Sequence, residues 1–375
     1  MESASQKKKI MVVAGTRPEA VKMSPIMLEL MKTPGAEPIL CLTGQHREML
    51  DQTLTVFGLK GDIDLNLMTK AQTLSHITSS ILTGMDEVLK KVHPDWILIQ
   101  GDTTTVMASA LAAFYNEIKV GHVEAGLRSG NKWAPFPEEI NRKVAGIVAD
   151  LNFCPTIQAK ENLLKENVPE KICYVTGNTV IDALHYTAAL PFKLEGSPLE
   201  DIPFGKKQII TMTAHRRENI GKPLEDICSA VLKIAETFKD SIHIVYPVHL
   251  NPAVRDIVFP RLGHTENITL LDPLDYLPMV QLMKRSKLIL TDSGGLQEEA
   301  PGLGIPVLVL REVTERPEGI ATGNVRLVGS DPEKIFNETS KLLTNEADWK
   351  GMSTAVNPYG DGKSAARIVK LVMEN

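Results

Sequence analysis

Short apolar runs recur along the chain and alternate with stretches in which apolar residues are spaced as in a helix. Runs of this length, rich in β-branched residues, predict buried strands, and their alternation with helices predicts parallel sheets. The first half contains the candidate strands Ile10–Ala14, Ile39–Thr43, Trp96–Gln100, Val120–Glu124, Leu151–Cys154 and Ile172–Val175. The second half contains Ile209–Met212, Ile242–Tyr246, Ile268–Leu271, Leu288–Leu290, Val307–Leu310 and Val325–Val328. The pattern predicts an α/β protein with two doubly wound Rossmann-like domains.

The most marked break in this pattern follows the helix-like segment Val180–Ala189, where a polar stretch contains Pro191, Gly196, Pro198, Pro203 and Gly205. We assign residues 1–180 to an N-terminal domain and residues 181–363, which include this stretch, to a C-terminal domain. Ligands of open α/β sheets bind at the carboxyl ends of the strands, so two facing domains are expected to enclose a central cleft. The last segment, Lys363–Met373, has helical spacing and could pack on either domain.

Composition narrows the class of protein. Hydrophobic residues make up 43% of the chain and charged residues 23%, which is typical of globular proteins and excludes disordered and fibrous classes. Lys and Arg number 41 against 46 Asp and Glu, and the resulting net charge of −5 argues against a nucleic-acid or anionic-membrane partner. No run approaches about 18 uninterrupted apolar residues, and residues 1–9 lack the apolar region of a signal peptide. We expect a cytoplasmic protein.

The cysteines are widely separated and form no CxxC pair: Cys41, Cys154, Cys173 and Cys228. This spacing fits neither a zinc site nor a disulfide framework. We expect reduced thiols in the core.

The turn after the first strand reads GTRPEA, residues 15–20, and carries Arg17, with Lys22 in the helix that follows. A guanidinium beside a helix N-terminus is suited to binding an anion, because free backbone N–H groups point the same way. Equally, Arg17 could pair with a surface carboxylate. The motif GxGxxG occurs nowhere in the chain, which argues against a nicotinamide or flavin cofactor.

Candidate acid–base groups lie in the first half. Asp102 follows a predicted strand and either caps the next helix or faces a ligand, while His122 and Glu124 alternate at another strand end. Glu138 and Glu139 begin a Pro-led helix, where acidic residues usually complement the helix dipole. No metal-ligand spacing such as HExxH is present, so we expect metal-free carboxylates. If Asp102, Glu124 and Glu138 converge at one cleft, they suit proton transfer.

The second half supplies loops suited to phosphate. His215 and Arg216 follow a predicted strand, and His215 is either a core histidine or, given its cationic neighbours, an anion ligand. Small residues also open a helix after another strand, where they let phosphate oxygens approach backbone N–H groups. The small residues are Ser293, Gly294 and Gly295. Glu298 or Glu299 in the same helix could bind a ribose, and Arg316 is a further candidate. A nucleotide-sugar enzyme fits this inventory best, although the residues alone do not specify its reaction.

Ten sequence blocks, in order from about Ile10 to the C-terminus, resemble the non-hydrolysing UDP-N-acetylglucosamine 2-epimerases. They are GTRPEA (15–20), QHREML (45–50), GDTTT (101–105), HVEAGLR (122–128), TGNTVID (176–182), AHRREN (214–219), YPVHLNP (246–252), TDSGGLQEEAP (291–301), TERPE (314–318) and NPYGDG (357–362). Together they are far more specific than any single block.

The resemblance implies the glycosyltransferase-B architecture, a homodimer, and a C-terminal helix over residues 364–375 that returns to the first domain. It also implies interconversion of UDP-N-acetylglucosamine and UDP-N-acetylmannosamine with neither metal nor other cofactor. The reaction in the family is an anti elimination of UDP to a 2-acetamidoglucal followed by re-addition. The product would supply N-acetylmannosamine units for cell-surface polysaccharide.

Roles carried over from the family fall on matching positions of this sequence. The catalytic set is Asp102, Glu124 and Glu138 for proton transfer, with no base or acid assigned, and His215 for stabilising the leaving group. The UDP ligands are Arg17, Lys22, His215, Ser293, Gly294, Gly295, Glu299 and Arg316. A second, activating substrate site would use Gln45, Arg216 and His249, although Glu48 and Ala71 stand where some members have Gln and Arg.

Three other functions remain open at this stage. A glycosyltransferase of the same architecture would use the same nucleotide loops but needs an acceptor groove. A hydrolysing epimerase would differ in whether water reaches the glycal. A non-catalytic nucleotide-sugar sensor is disfavoured by the retained carboxylates.

Overall fold

The computed structural model describes residues 7–44, 47–67 and 72–375, and for residues 47–49 it describes the backbone alone. Its strands are β1 (Lys8–Ala14), β2 (Ala36–Leu42), β3 (Ile63–Asp64), β4 (Trp96–Gln100), β5 (Lys119–Val123), β6 (Leu151–Cys154), β7 (Cys173–Val175), β8 (Gln208–Thr213), β9 (Ile242–Pro247), β10 (Ile268–Leu271), β11 (Ser286–Thr291), β12 (Val307–Val309) and β13 (Val325–Leu327). Every predicted strand is therefore present. The two-residue strand β3 was not predicted, because so short a segment carries no periodicity.

The helices fill the intervals between the strands, as the alternating pattern predicted. They are α1 (Arg17–Lys32), α2 (Arg47–Val56), α3 (Leu74–Val92), α4 (Thr104–Tyr115), α5 (Glu138–Val148), α6 (Ile157–Lys165), α7 (Thr179–Ala189), α8 (Lys222–Thr237), α9 (Pro252–Leu262), α10 (Tyr276–Lys284), α11 (Gly294–Gly302), α12 (Pro317–Thr322), α13 (Pro332–Thr344), α14 (Glu346–Ser353) and α15 (Ser364–Glu374). None of the described helices is long and apolar enough to cross a membrane.

The chain divides into two compact units. The first comprises Met1–Ala183 and Tyr359–Asn375, and the second comprises Leu184–Pro358. The division falls inside α7, so the Pro- and Gly-rich stretch 191–205 lies wholly within the second unit.

In the first unit, the described strands form a seven-stranded parallel sheet in the order β3-β2-β1-β4-β5-β6-β7. Alternate residues of β1 enter cores on opposite faces: Val12 packs with α1 and α15, whereas Met11 packs with α3 and α4. Burial on both faces explains the continuous apolar runs of these strands. Helix α15 packs against α1, and the carboxylate of Asp182 accepts hydrogen bonds from Ser364 N (3.2 Å) and Ala365 N (2.9 Å) at its N-terminus.

The second unit contains a six-stranded parallel sheet among the residues described, in the order β10-β9-β8-β11-β12-β13. Helices α8 and α13 cover a core that includes Ile210, Tyr246 and Leu290. The prediction of two doubly wound Rossmann-like domains in the α/β class is confirmed.

Each sheet has one point at which the strand order reverses. In the first sheet it lies between β1 and β4, and in the second between β8 and β11. Loops at the carboxyl ends of strands diverge at such a point and leave a ligand-binding crevice. The loops there begin with Gly15 and Gly101 in the first unit, and with Ala214 and Asp292 in the second.

Candidate active site

The turn between β1 and α1 is organised by a buried carboxylate that the sequence analysis did not single out. Glu19 is 2% exposed and accepts hydrogen bonds from Gly15 N (2.5 Å), Thr16 N (2.9 Å) and Thr103 Oγ1 (2.5 Å). Burial raises its pKa, although these hydrogen bonds oppose that effect. Glu19 thus joins the loops after β1 and β4. The spacing T-x-x-E was the available signal, because it forms a capping box at the start of α1.

Arg17 and Lys22 lie on the helix that this turn begins. Arg17 is half-buried at the first position of α1. Lys22 forms an ion pair with Glu124, and the exposed fractions of the two side chains are only 15% and 8%. The first helix therefore connects the turn after β1 to the carboxylate that follows β5.

Asp102 lies directly after β4 and is paired with a cation from α5. Arg142 places Nε 2.9 Å and Nη2 2.6 Å from Asp102 Oδ2. The same guanidinium reaches Glu139 Oε2 at 3.0 Å. Burial would raise the pKa of Glu139, but hydrogen bonds from Ser129 N and Gly130 N, together with Arg142, lower it overall. Glu139 therefore holds the loop before α5 in place, in addition to any interaction with the dipole of that helix.

Glu124 has an unusual backbone conformation. Its φ of +63° lies in the left-handed region, which non-glycine residues seldom adopt and which is frequent at functional sites. Its Oε2 accepts a hydrogen bond from Asn178 Nδ2 (3.1 Å) in addition to the ion pair with Lys22.

His122 and Glu124, which the sequence placed together at a strand end, have different partners. His122 is fully buried, and its Nε2 lies 2.7 Å from the carbonyl oxygen of Gly101. Burial lowers the pKa of His122 to about 4. Its ring is therefore neutral near pH 7 and supports the loop that carries Asp102. In residues 7–44, 47–67 and 72–375, no group of three His, Cys, Asp or Glu side chains has the geometry to hold a metal ion.

Glu138 is the first residue of α5, one turn before Arg142. Its atom Oε2 is buried and makes no hydrogen bond with any described residue. Asp102, Glu124 and Glu138 thus all lie in the first unit, close to the ends of β4 and β5 or at the start of α5, with different electrostatic surroundings.

In the second unit, the loop after β8 is held by Asp292, a fully buried carboxylate after β11. Its Oδ2 accepts hydrogen bonds from His215 N (2.8 Å), Arg216 N (2.7 Å) and Asn219 Nδ2 (3.0 Å). Burial lowers the pKa of His215, and the charge of Asp292 opposes this. The motif alone predicted no role for Asp292, since a carboxylate is not expected among phosphate ligands.

Two guanidinium groups lie at the N-terminus of α11, which Ser293 precedes as the N-cap. A Cβ atom on Gly294 would be 3.7 Å from Arg216 Nη2 and 4.0 Å from Arg316 Nη2. Gly294 and Gly295 place no side chain over their own backbone N–H groups, whereas Ser293 N donates to Thr291 Oγ1 (2.9 Å). Free N–H groups, the helix dipole and two guanidinium forks together form an anion-binding arrangement.

Arg316 is oriented by α11 itself. It forms an ion pair with Glu298, whose side chain is 3% exposed. Its backbone N–H donates to Thr314 Oγ1 (3.1 Å), which in turn donates to Gln297 Oε1 (2.6 Å). Of the two acidic candidates on α11, Glu298 is thus engaged with Arg316, whereas Glu299 is half-exposed.

The residues assigned to a second site are described only in part. Gln45 and Ala71 lie outside the described residues, as does the side chain of Glu48. The ring of His249 stacks on that of His215 with centroids 5.0 Å apart. Arg216 and His249 are therefore direct neighbours of groups assigned to the primary site.

Comparison with known proteins identifies the family. The family profile described as UDP-N-acetylglucosamine 2-epimerase matches residues 28–373. The UDP-N-acetylglucosamine 2-epimerase of Bacillus subtilis is 51% identical over 365 residues, which are 97% of this chain and 95% of that protein. A crystal structure of the Neisseria meningitidis UDP-GlcNAc 2-epimerase bound to UDP-GlcNAc is 44% identical, with a TM-score of 0.87 over 98% of this chain and 100% of that chain.

A more distant structure, the glycosyltransferase of kitacinnamycin, has 12% identity and a TM-score of 0.65 over 98% of each chain. At that identity the likeness concerns the fold alone, and it agrees with the predicted glycosyltransferase-B class. The match of the family profile over most of the chain, together with identities near 50%, shows the family as well as the fold. The chain belongs to the UDP-N-acetylglucosamine 2-epimerase family.

Proposed function

We propose that the chain catalyses the reversible C2 epimerisation of UDP-N-acetylglucosamine to UDP-N-acetylmannosamine without hydrolysis. The observation that carries this proposal is the pair of guanidinium groups, Arg216 and Arg316, at the N-terminus of α11. A diphosphate leaving group requires such a concentration of positive charge. Family membership supplies the sugar and the position of the reaction.

The nucleotide ligands follow from the same arrangement. Backbone N–H groups of Gly294 and Gly295 and the hydroxyl of Ser293 would bind the diphosphate together with Arg316 and His215. Glu299 would accept hydrogen bonds from the ribose, because Glu298 is already paired with Arg316. Arg17 and Lys22 are proposed as further UDP ligands, as the family resemblance implies.

The chemical step is an anti elimination. A carboxylate removes the proton from C2, the C1–O bond to UDP breaks, and the C2–H electron pair becomes the C1=C2 bond of 2-acetamidoglucal. Re-addition reverses both changes with the proton delivered to the opposite face of C2. No carbonyl acidifies C2–H, so the barrier must fall mainly by stabilising the departing UDP, which accounts for cationic groups and helix N-termini.

The three proposed proton-transfer carboxylates have different partners. Arg142 orients Asp102 through two N–H groups on Oδ2. Glu138 forms no ion pair with any described residue, and its Oε2 is buried. Glu124, paired with Lys22, would complete the proton-transfer set.

Several broader properties belong to the same proposal. We propose a cytoplasmic homodimer that needs neither metal nor other cofactor and supplies N-acetylmannosamine units for cell-surface polysaccharide. Substrate activation through Gln45, Arg216 and His249 is also proposed, supported by the stacking of His249 on His215. Kinetics with UDP-N-acetylmannosamine test activation: we expect added UDP-N-acetylglucosamine to raise the rate, and simple hyperbolic kinetics unaffected by that addition would reject it.

The direct test of the main reaction is incubation with UDP-N-acetylglucosamine in D2O, followed by proton NMR of the sugar. We expect UDP-N-acetylmannosamine with deuterium at C2. Free N-acetylmannosamine instead of the second UDP-sugar would indicate a hydrolysing epimerase. Unchanged substrate, with transfer only after an acceptor is added, would indicate a glycosyltransferase.

A further inference from the structure

The segment through which the chain returns to the first unit is packed tightly on the loop before α7. Asn178 N donates to the carbonyl oxygen of Tyr359 at 2.7 Å. A Cβ atom on Gly177 would lie 2.6 Å from Ser364 Oγ and 3.3 Å from the Cα of Gly360. The loop and the returning segment therefore approach more closely than a side chain at Gly177 would allow.

The side chain of Asn178 has a defined orientation within this contact. It is 3% exposed, and its Oδ1 accepts a hydrogen bond from Val180 N at 3.1 Å. Because a backbone N–H can only donate, the amide oxygen must face Val180. The Nδ2 group consequently points to Glu124 Oε2, 3.1 Å away.

Glu124 needs such support, since a left-handed backbone is strained for a non-glycine residue and persists only where its surroundings enforce it. Lys22, which also contacts this carboxylate, carries its charge on a flexible four-carbon stem that can follow a moving carboxylate. The short amide of Asn178, fixed by Val180 and Tyr359, cannot follow in this way. Asn178 is thus the rigid member of the pair.

We infer that Asn178 is a positioning residue for Glu124: its amide, held in place by the returning segment, fixes the plane of the carboxylate for proton transfer at C2. This inference rests on the proposed function. A misplacement of about 1 Å in a reacting group can lower the rate about 100-fold.

Two substitutions at one position test the inference. Asn178→Asp keeps the acceptor for Val180 N but replaces the donor with a like charge beside Glu124, whereas Asn178→Ala removes both contacts. We expect both to lower kcat by about 10- to 100-fold. The affinity for UDP, measured by calorimetry with UDP alone, should stay within about twofold of the wild type, because the main UDP ligands lie in the second unit.

Arg367→Ala is the matched control. Arg367 Nη1 donates to the carbonyl oxygen of Thr176 at 3.2 Å, so this variant loosens the same packing without touching the amide. We expect its kcat to stay within about twofold of the wild type. A wild-type kcat in Asn178→Asp, or an equal loss in Arg367→Ala, would overturn the inference. A wild-type chain that leaves UDP-N-acetylglucosamine unchanged would instead reject the proposed function, and this inference with it.

Discussion

The guanidinium of Arg142 lies against the carboxylate of Asp102, with Nη2 2.6 Å and Nε 2.9 Å from the single oxygen Oδ2. Both N–H groups contact the same oxygen, and together they fix the orientation of the carboxylate. The pair joins the end of β4 to α5, the helix that begins with Glu138. Asp102 and Glu138 are thereby connected through one short helix.

Replacing Asp102 with Asn retains the size of the side chain but removes its negative charge. We expect Asp102→Asn to abolish epimerisation, because an amide cannot accept the C2 proton. UDP affinity should be largely intact. Proton NMR of the product and calorimetry with UDP measure the two effects, and the exposed Asp240→Asn is the control. Near-normal turnover would remove Asp102 from the catalytic set.

Asp292 holds the loop of His215 and Arg216 by accepting hydrogen bonds from both backbone N–H groups. Asp292→Ala leaves these two half-buried donors and the buried Asn219 Nδ2 without this acceptor, a loss of about 1–3 kcal/mol. We expect a lower unfolding temperature and at least tenfold weaker UDP binding. Asp331→Ala, which removes an exposed helix cap that is 2.9 Å from Lys334 N, controls for stability lost elsewhere in the second unit. UDP affinity unchanged in Asp292→Ala would contradict this role.

Stability should fall in mild acid because of His122. Its pKa is lowered from 6.5 to about 4 in the folded protein, mainly by burial, with Arg128 acting in the same direction and Gly101, Asp102 and Glu124 opposing. In the unfolded chain the His122 ring binds a proton near pH 6.5, whereas in the folded protein it does so near pH 4. The contribution of His122 to stability is therefore fully present above pH 6.5 and is lost as the pH falls toward 4. The difference corresponds to about 3 kcal/mol.

Thermal unfolding of His122→Gln between pH 7.5 and 4.5 measures this effect. We expect the variant to lose less stability over that range than the wild type, even if it starts from a lower unfolding temperature. The exposed His76→Gln should behave as the wild type. Equal acid sensitivity in His122→Gln and the wild type would exclude His122 as the source.

Gly126 and Gly130 form a matched pair for testing the loop after β5. Both have positive φ, +87° and +76°, but a Cβ on Gly126 would overlap the carbonyl of Ala159, whereas one on Gly130 meets nothing within 4 Å. We expect Gly126→Ala to cost about 3 kcal/mol or more, and Gly130→Ala about 1–2 kcal/mol. Denaturant unfolding of the two variants measures their free energies of unfolding. Equal losses would show that the positive φ, and not the overlap with Ala159, causes the destabilisation.

Much of the fold was predictable because buried parallel strands are marked by continuous apolar runs. The pattern located β1, β4 and β8 to within a few residues at each end, and all four cysteines are buried free thiols as expected. The division of the chain inside α7 was not predictable, because a helix that belongs to two units has no break in its own periodicity.

Residues with a proposed role at the ligand were easier to find than the residues that hold their loops. Asp102, His215 and Arg316 stand in recognisable motifs at strand ends, and the family resemblance implied roles for them. Glu19, Asp292 and Asn178 lie in the same motifs, yet their importance depends on partners far away in the sequence, such as Thr103 for Glu19 and Glu124 for Asn178.

The sequence by itself determined the α/β class, the family and the identity of the chemical groups, because periodicity and motifs are local properties of a chain. Only the tertiary structure decided which carboxylate meets which cation. Asp102 lies 40 residues from Arg142, and Glu124 lies 102 residues from Lys22. The charge state of a carboxyl group depends on burial and on the cations within a few ångströms, and folding alone sets those distances.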